Sequence, residues 1–323
     1  MHAVQVQAPG GPEVLTLVEL PDPVPGPGQV LVDVTAAGVN FVEIYQRSGI
    51  YPRPTPFVLG AEGAGVVRAV GADVEGIKPG DRVAWTDAPG SQAESVVVDA
   101  DRAVVLPEKV SLEVGAAVML QGLTAHYLAT STYPVQAGDT VLVHAGAGGV
   151  GLLLTQIVKR RGGRVLATVS SADKEKVARS AGADEVIRYD QVDFAAEVRR
   201  LTGGEGVPAV FDGVGRATFD GSLASLRPRG YMVLYGGASG QVPPFDLQRL
   251  NQGGSLYVTR PSMGHYLATR EEFLSRTGEL MSWVASGELD VRIGGRYPLA
   301  DVRQAHEDLA GRKTTGKLLL LAR

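Results

Sequence analysis

Over residues 2 to about 110, hydrophobic and polar positions alternate in short runs that predict strands and turns. "HAVQVQ", "VLTLVEL" and "VLVDVTAAGVN" have a period of two, and "PDPVPGPGQV" breaks the chain hard between the second and third. Short segments with Gly and Pro between them continue to "QAESVVVDADRAVVLP", which reads as an irregular, mostly β domain. From "SLEVGAAVMLQGLTAHYLAT" the period lengthens toward helix, with Ser111 as its N-cap. Between Thr140 and Arg260 the two periods alternate. "TVLVHAG", "RVLATVS", "DEVIRY", "PAVFDGVG", "YMVLYGG" and "SLYVTR" predict strands. "VGLLLTQIVKRRG", "ADKEKVARSAG", "FAAEVRRLTGG" and "ATFDGSLASLRPRG" predict helices, the first two closed by Gly162 and Gly182. This is the order of βαβ units in a doubly wound parallel sheet. Beyond Arg260, "TREEFLSRTGELMSWVASGEL" and "RYPLADVRQAHEDLAG" each read as an amphipathic helix, and "GKLLLLAR" as a closing strand.

Four glycines in six positions stand where the first of these strands meets its helix. From Thr140 to Val158 the chain is uncharged over 19 residues, which raises the possibility of a membrane span. The glycines, Gln156 and the placement of basic residues only at the C-terminal end favour a buried first helix instead. Gly146, Gly148 and Gly151, with Gly149 and Val150 among them, form G-x-G-x-x-G at a strand-to-helix junction. There the first glycine permits a tight turn, the second admits a pyrophosphate, and the third lets the helix pack against the strand. The helix N-terminus adds unpaired N–H groups and a partial positive charge. Taken alone the motif is weak, but its setting among βαβ units points to a dinucleotide. About 20 residues further on, a carboxylate would read the ribose 2′-OH of NAD. This chain has Ser170 and Ser171 there, with Lys174 one turn later, a set that suits the 2′-phosphate of NADPH. Asp173 opposes that preference unless its side chain caps the helix, and the competing role for Lys174 is a solvated helix-surface lysine.

Composition narrows the function classes. With 323 residues the chain is long enough for about two domains, and 44% apolar with 20% charged content is that of a globular protein. A net charge of −4 gives no basic footprint for nucleic acid or an anionic membrane. The absence of cysteine excludes disulfides and thiolate metal sites. No basic-then-apolar leader is visible at the N-terminus, so the expected compartment is the cytoplasm.

Gly138, Asp139, Leu142, the "GAGG" of 146–149, Gly151, Gln156 and Lys159 resemble the signature of the quinone oxidoreductase/zeta-crystallin family of medium-chain dehydrogenases/reductases. "GVNFVEIYQRSGIYP", "LQGLTAHYL" and "NQGGSLYVTRPS" are similar to further blocks of that family, so the resemblance extends over nearly the whole chain. It implies a GroES-like catalytic domain formed by residues 1–123 and 263–323, wrapped around a Rossmann domain at 124–262. It also implies NADPH as coenzyme, a small quinone reduced in a cleft between the domains, and homodimers joined at the edge strand "GSLYVTR". In zinc-containing members of the superfamily a cysteine and the histidine of a G-H-E block hold the metal. Asn40 and Ala61 stand at those positions, so no catalytic zinc is expected. The five histidines are scattered, without metal-ligand spacing.

Carried over block by block, the resemblance puts Asn40, Tyr45 and Tyr51 at the reacting end of the coenzyme. Asn40 would bond a ribose hydroxyl or the substrate oxygen, and a tyrosine would donate to a quinone oxygen as charge develops. Aromatic packing in the loop "YPRPTP" is the competing role of both tyrosines. Thr124 would lie beside the nicotinamide, Tyr189 and Arg260 would contact the coenzyme, and Arg312 would reach the 2′-phosphate or remain a surface arginine. The alternatives are reduction of an enone or alkenal double bond by the same chemistry, and a crystallin-like or RNA-binding role, which the acidic balance disfavours.

Overall fold

The structure, a computed structural model, describes residues 1–322. The chain forms two compact units, one of Met1–Gln121 together with the segment from Thr269 onward, the other of Gly122–Ala268. Among the described residues the strands make sheets of three, six and seven.

The first unit begins with strands β1 (His2–Val6), β2 (Leu15–Glu19) and β3 (Gln29–Val39), then helix α1 (Phe41–Arg47). Strands β4 (Phe57–Val58), β5 (Glu62–Val70), β6 (Arg82–Thr86), β7 (Ser95–Asp99) and β8 (Ala103–Val105) lead to helix α2 (Leu112–Tyr127). Ser111 caps α2 as its position suggests, its hydroxyl accepting from Val114 N at 3.2 Å. Long β3 pairs antiparallel with both β5 and β7, and the alternation seen in the sequence becomes a core of Val30, Val32, Val34, Val98 and Trp85. Fully burying each such side chain stabilises by about 1.5–3 kcal/mol.

The second unit carries β9 (Thr140–Val143), α3 (Gly149–Arg160), β10 (Arg164–Val169), α4 (Ala172–Ser180), β11 (Glu185–Arg188) and α5 (Phe194–Leu201). After them come β12 (Val207–Asp212), α6 (Phe219–Ser225), β13 (Leu226–Leu234), α7 (Gln248–Gln252), β14 (Tyr257–Thr259) and α8 (Met263–Tyr266). Its six strands lie in the order β11-β10-β9-β12-β13-β14, and every pairing is parallel. A parallel sheet covered on both faces needs unbroken apolar strands, and every residue of β12 is buried.

The chain then returns to the first unit with α9 (Arg270–Ser286), β15 (Ile293–Pro298), α10 (Val302–Ala310) and β16 (Lys317–Leu321). β16 pairs antiparallel with β3, so the last strand is built into the sheet of the first third. No helix among the described residues is long and apolar enough to cross a membrane.

Three local readings of the sequence are corrected. The helix expected over "ATFDGSLASLRPRG" stops at Ser225 and strand β13 begins at Leu226. Pro228 has no N–H and drives Arg227 out of the helical region, so the chain extends early. Pro298 acts likewise: "RYP" closes β15 and the helix expected from Arg296 starts only at Val302. The first third is also not all strand and turn, for it contains α1.

α10 buries His306 completely, with neither ring nitrogen hydrogen-bonded among the described residues. Burial, with the charge of Arg47 adding to it, lowers its pKa to about 3. The folded chain therefore stays unprotonated at His306 while the unfolded chain takes up a proton below about pH 6.5. Stability is full above that pH and falls as the pH drops toward 3, at up to ~1.4 kcal/mol per pH unit. His306→Leu is expected to flatten this part of the profile in urea unfolding at pH 7, 5 and 4. An unchanged difference between pH 7 and pH 4 would contradict it.

Candidate active site

The glycine-rich turn joins β9 to α3 at the carboxyl end of the parallel sheet, where ligands bind in open α/β folds. Its left-handed residue is Ala145, at φ 52°, rather than the first glycine of the motif. Gly146 is needed for a different reason: a Cβ there would lie 2.7 Å from Ala167 Cβ on β10. Gly151, in the first turn of α3, faces backbone, and a Cβ would come within 2.4 Å of Ala145 O and 3.0 Å of Gly146 Cα. At Gly148 the nearest atom would be Ala145 O at 3.2 Å, so this glycine is held less by the fold than by what approaches it. Gly148 is also the N-cap of α3 and no side chain caps that end, which leaves the N–H groups from Gly149 through Gly151 for an anion. A turn that admits no Cβ at Gly146 or Gly151, beside an uncapped helix start, fits a dinucleotide pyrophosphate.

Beneath this turn lies a buried chain of polar side chains that the sequence reading did not single out. His144 Nδ1 is 2.9 Å from Thr168 Oγ1, and His144 Nε2 is 3.0 Å from Ser222 Oγ. Ser222 donates to Asp212 Oδ2 at 2.8 Å, as does Thr218 at 2.7 Å. The serine proton is thus committed to the aspartate, so Nε2 carries the histidine proton and Nδ1 accepts from Thr168. Burial lowers the pKa of His144, against the opposing charge of Asp212, and keeps the ring neutral. In a hydrolytic triad the carboxylate would orient the histidine; here it holds the serine, and the chain ties together the ends of β9, β10 and β12.

At the end of β10 the structure brings four of the expected coenzyme residues together. Ser171 is the N-cap of α4 and its Oγ accepts from Lys174 N at 3.3 Å. Lys174 Nζ turns back to lie 3.4 Å from Ser170 Oγ. Tyr189 N donates to Val169 O at 3.2 Å, which sets that tyrosine, its ring half exposed, at the same strand end. Asp173 does not cap the helix, since Ser171 does; its carboxylate pairs instead with Lys176 at 3.1 Å on the exposed face. Thr124 hydrogen-bonds Tyr127, and Arg260 is close enough to bias the titration of that phenol, whose pKa burial raises. Tyr127 stacks on Tyr266 at 4.4 Å. Tyr127 lies in the "LQGLTAHYL" block, though the resemblance assigns no role to it or to Tyr266. Arg312 belongs to the other unit, exposed just beyond α10 in a left-handed conformation at φ 55°.

In the first unit Asn40 caps α1. Its backbone N–H donates to Glu43 Oε2 at 2.9 Å, and its side chain accepts from the helix in return. This Asn-x-x-Glu box was the signal in the sequence that could have revealed α1. The helix carries Tyr45, whose carbonyl accepts from Tyr51 N at 3.0 Å, and the two rings meet edge-on at 5.2 Å. All three residues assigned to the reacting end are therefore organised by one short helix.

Asn40 is almost wholly buried, in a network the sequence did not foreshadow. Its Nδ2 donates to Glu62 Oε1 at 2.7 Å, and its Oδ1 accepts from Lys317 Nζ at 2.7 Å. Lys317 also donates to Glu62 Oε1, and Glu62 Oε2 accepts from Leu120 N at 2.6 Å. Glu43 accepts from Gln92 Nε2 at 2.9 Å, and burial raises its carboxyl to about 8, so it is protonated at neutral pH. One carboxylate then faces one ammonium, and the buried cluster is neutral.

Residues 26–108 match the family model of the alcohol dehydrogenase GroES-like domain, and 149–278 that of the zinc-binding dehydrogenases. The chain is 44% identical to a quinone oxidoreductase of Pseudomonas aeruginosa over 98% of each chain. A mycobacterial protein solved in complex with NADPH superposes at a TM-score of 0.97 with 53% identity, covering 99% of this chain and 100% of the other. The Escherichia coli quinone oxidoreductase complexed with NADPH gives 0.97 at 42% identity, over 99% and 100%. A zinc ion, implied by the name of one family model, does not fit the residues present. Cysteine is absent from the sequence, Ala61 has no donor, and the Lys317 ammonium lies against Asn40 and Glu62. Among the described residues no group of His, Cys, Asp or Glu is arranged to hold a metal. A GroES-like unit of the chain ends, a parallel-sheet unit with the glycine turn, and near-complete overlap with these relatives agree: the chain belongs to the quinone oxidoreductase family of the medium-chain dehydrogenases/reductases.

Proposed function

We propose that the protein is an NADPH:quinone oxidoreductase that works without catalytic zinc. One observation carries the reading most directly: Lys174 Nζ and Ser170 Oγ stand together at the end of β10, where an NAD-specific site would present a carboxylate. Bound NADPH supplies a hydride. The chain does the rest by holding and orienting. The uncapped start of α3 and the face of Gly148 receive the pyrophosphate, Ser170, Ser171, Lys174 and Tyr189 surround the 2′-phosphate, and Thr124 and Arg260 support the nicotinamide end. A tyrosine hydroxyl from Tyr45 or Tyr51 donates to the quinone oxygen as negative charge grows there, which lowers the barrier only in the transition state.

Stopped-flow oxidation of NADPH across 1,4-benzoquinone, larger quinones and an alkenal tests this. Faster turnover of quinones than of the alkenal is expected; the reverse order would make the protein a double-bond reductase. Tyr51→Phe is expected to lower turnover of quinones several-fold with little change in NADPH affinity, because the missing donor acts on the substrate oxygen. Unchanged turnover with every acceptor would leave Tyr51 a packing residue.

We further propose a homodimer joined at β14. This three-residue strand is the last of its sheet, and Tyr257 on it is exposed while stacking on Tyr231 at 4.6 Å. An uncovered edge with a flat aromatic pair invites a second copy to extend the sheet. Light scattering is expected to give twice the chain mass of 33.8 kDa, and a monomer at micromolar concentration would contradict it.

A further inference from the structure

The buried pair of Lys317 and Glu62 has no evident purpose in stability. Lys317 is 1% exposed and Glu62 fully buried. Removing two such charges from water costs several kcal/mol per ion, and an apolar pair of similar volume often holds a fold equally well. The pair does one thing that no apolar pair could. An ammonium only donates and a carboxylate only accepts, so the amide between them has a single allowed orientation. Asn40 Oδ1 must face Lys317 and Asn40 Nδ2 must face Glu62, as the distances show.

The consequences extend to the reacting end through backbone. β16 runs beside β3 with Leu318 opposite Val39, so Lys317 approaches the position where β3 hands over to α1. Asn40 is that position, and it caps the helix that bears Tyr45 and receives Tyr51. We propose that Lys317 is a positioning residue for quinone reduction: with Glu62 it fixes the polarity of the Asn40 amide and thereby the start of α1, Tyr45 on it and Tyr51 bonded to it. The ammonium bonds Asn40, which by the resemblance stands at a metal-ligand position of the zinc-containing members. It balances Glu62 there without offering a coordination site. The proposal rests on the quinone oxidoreductase reading.

The test is the double variant Lys317→Gln/Glu62→Gln. Glutamine matches Glu62 in shape and is one methylene shorter than Lys317, and each amide can donate or accept, so Asn40 can turn over together with its neighbours. The variant is expected to melt near the wild type, to lose about fivefold or more in kcat for 1,4-benzoquinone at saturating NADPH, and to keep the ratio of NADPH to NADH use. Asn40→Ala is expected to lower kcat in the wild-type background and clearly less in the double variant, since what it removes is already lost. A folded double variant with wild-type kcat would overturn the proposal, as would an Asn40→Ala effect of equal size in both backgrounds. If the glutamine pair does not fold, Lys317→Met/Glu62→Leu takes its place, with a kcat loss of about tenfold or more expected and the same two results overturning it. Absence of NADPH-dependent quinone reduction in the wild type would instead overturn the functional reading itself.

Discussion

Gly151→Ala is expected to abolish useful NADPH binding, lowering affinity by about a hundredfold, or roughly 2.7 kcal/mol. Its new methyl would sit 2.4 Å from Ala145 O and 3.1 Å from Ala145 C, and these are backbone atoms of the turn itself. No side-chain rotation relieves such a contact, so α3 must move away from β9. The N–H groups at its start then leave the positions that face the pyrophosphate, and overpacking of this kind also costs ~1–3 kcal/mol of stability. Gly148→Ala provides the control. Its methyl comes no closer than 3.2 Å to any protein atom, so the melting temperature is expected to hold while coenzyme affinity drops. Fluorescence titration with NADPH alongside thermal melts separates the two. Gly151→Ala binding NADPH as tightly as wild type would show that the turn yields more easily than its backbone contacts allow.

Lys174→Ala is expected to raise the NADPH Michaelis constant about tenfold or more while leaving that for NADH nearly unchanged. A charge-assisted hydrogen bond to a phosphate is worth ~1.5–3 kcal/mol, or roughly ten- to a hundredfold in affinity. Asp173 does not cap α4, so its opposing charge is offset only by an exposed ion pair. Asp173, next in sequence to Lys174, is drawn to Lys176 on the outer face of α4, while Lys174 turns inward to Ser170. Only the phosphate-bearing coenzyme loses an interaction when the ammonium is removed, which is why NADH serves as the internal reference. Equal use of both coenzymes by the wild type, or equal loss with both in the variant, would reduce Lys174 to a solvated surface residue.

How much of the site could be read in advance depended on how local its physics is. The glycine turn, Ser170, Ser171 and Lys174 all lie within 29 residues of one another along a strand, a helix and a strand end, and the sequence order of βαβ units puts them at one edge. Even there, the residue that takes the left-handed conformation is Ala145, because the pattern reports where glycine is required and not for which of two reasons. α1 was announced by Asn40 and Glu43 but lies in a stretch of alternating, proline-rich sequence where the capping box is easily outweighed. His144 follows β9, Thr168 lies on β10, and Asp212 and Ser222 belong to β12 and α6, so the chain joins three βα units with no common spacing.

By itself the sequence determined the parallel-sheet unit, the dinucleotide turn and the family, because hydrophobic period and glycine placement are properties of neighbouring residues. Only the tertiary structure decided the Asn40, Glu62 and Lys317 cluster. Lys317 precedes an apolar run and looks like any polar residue at a strand start, yet it bonds a residue 277 positions earlier in the chain. A buried charge is recognisable only by what surrounds it, and the pairing of β16 with β3 that supplies those surroundings leaves no mark in either segment alone.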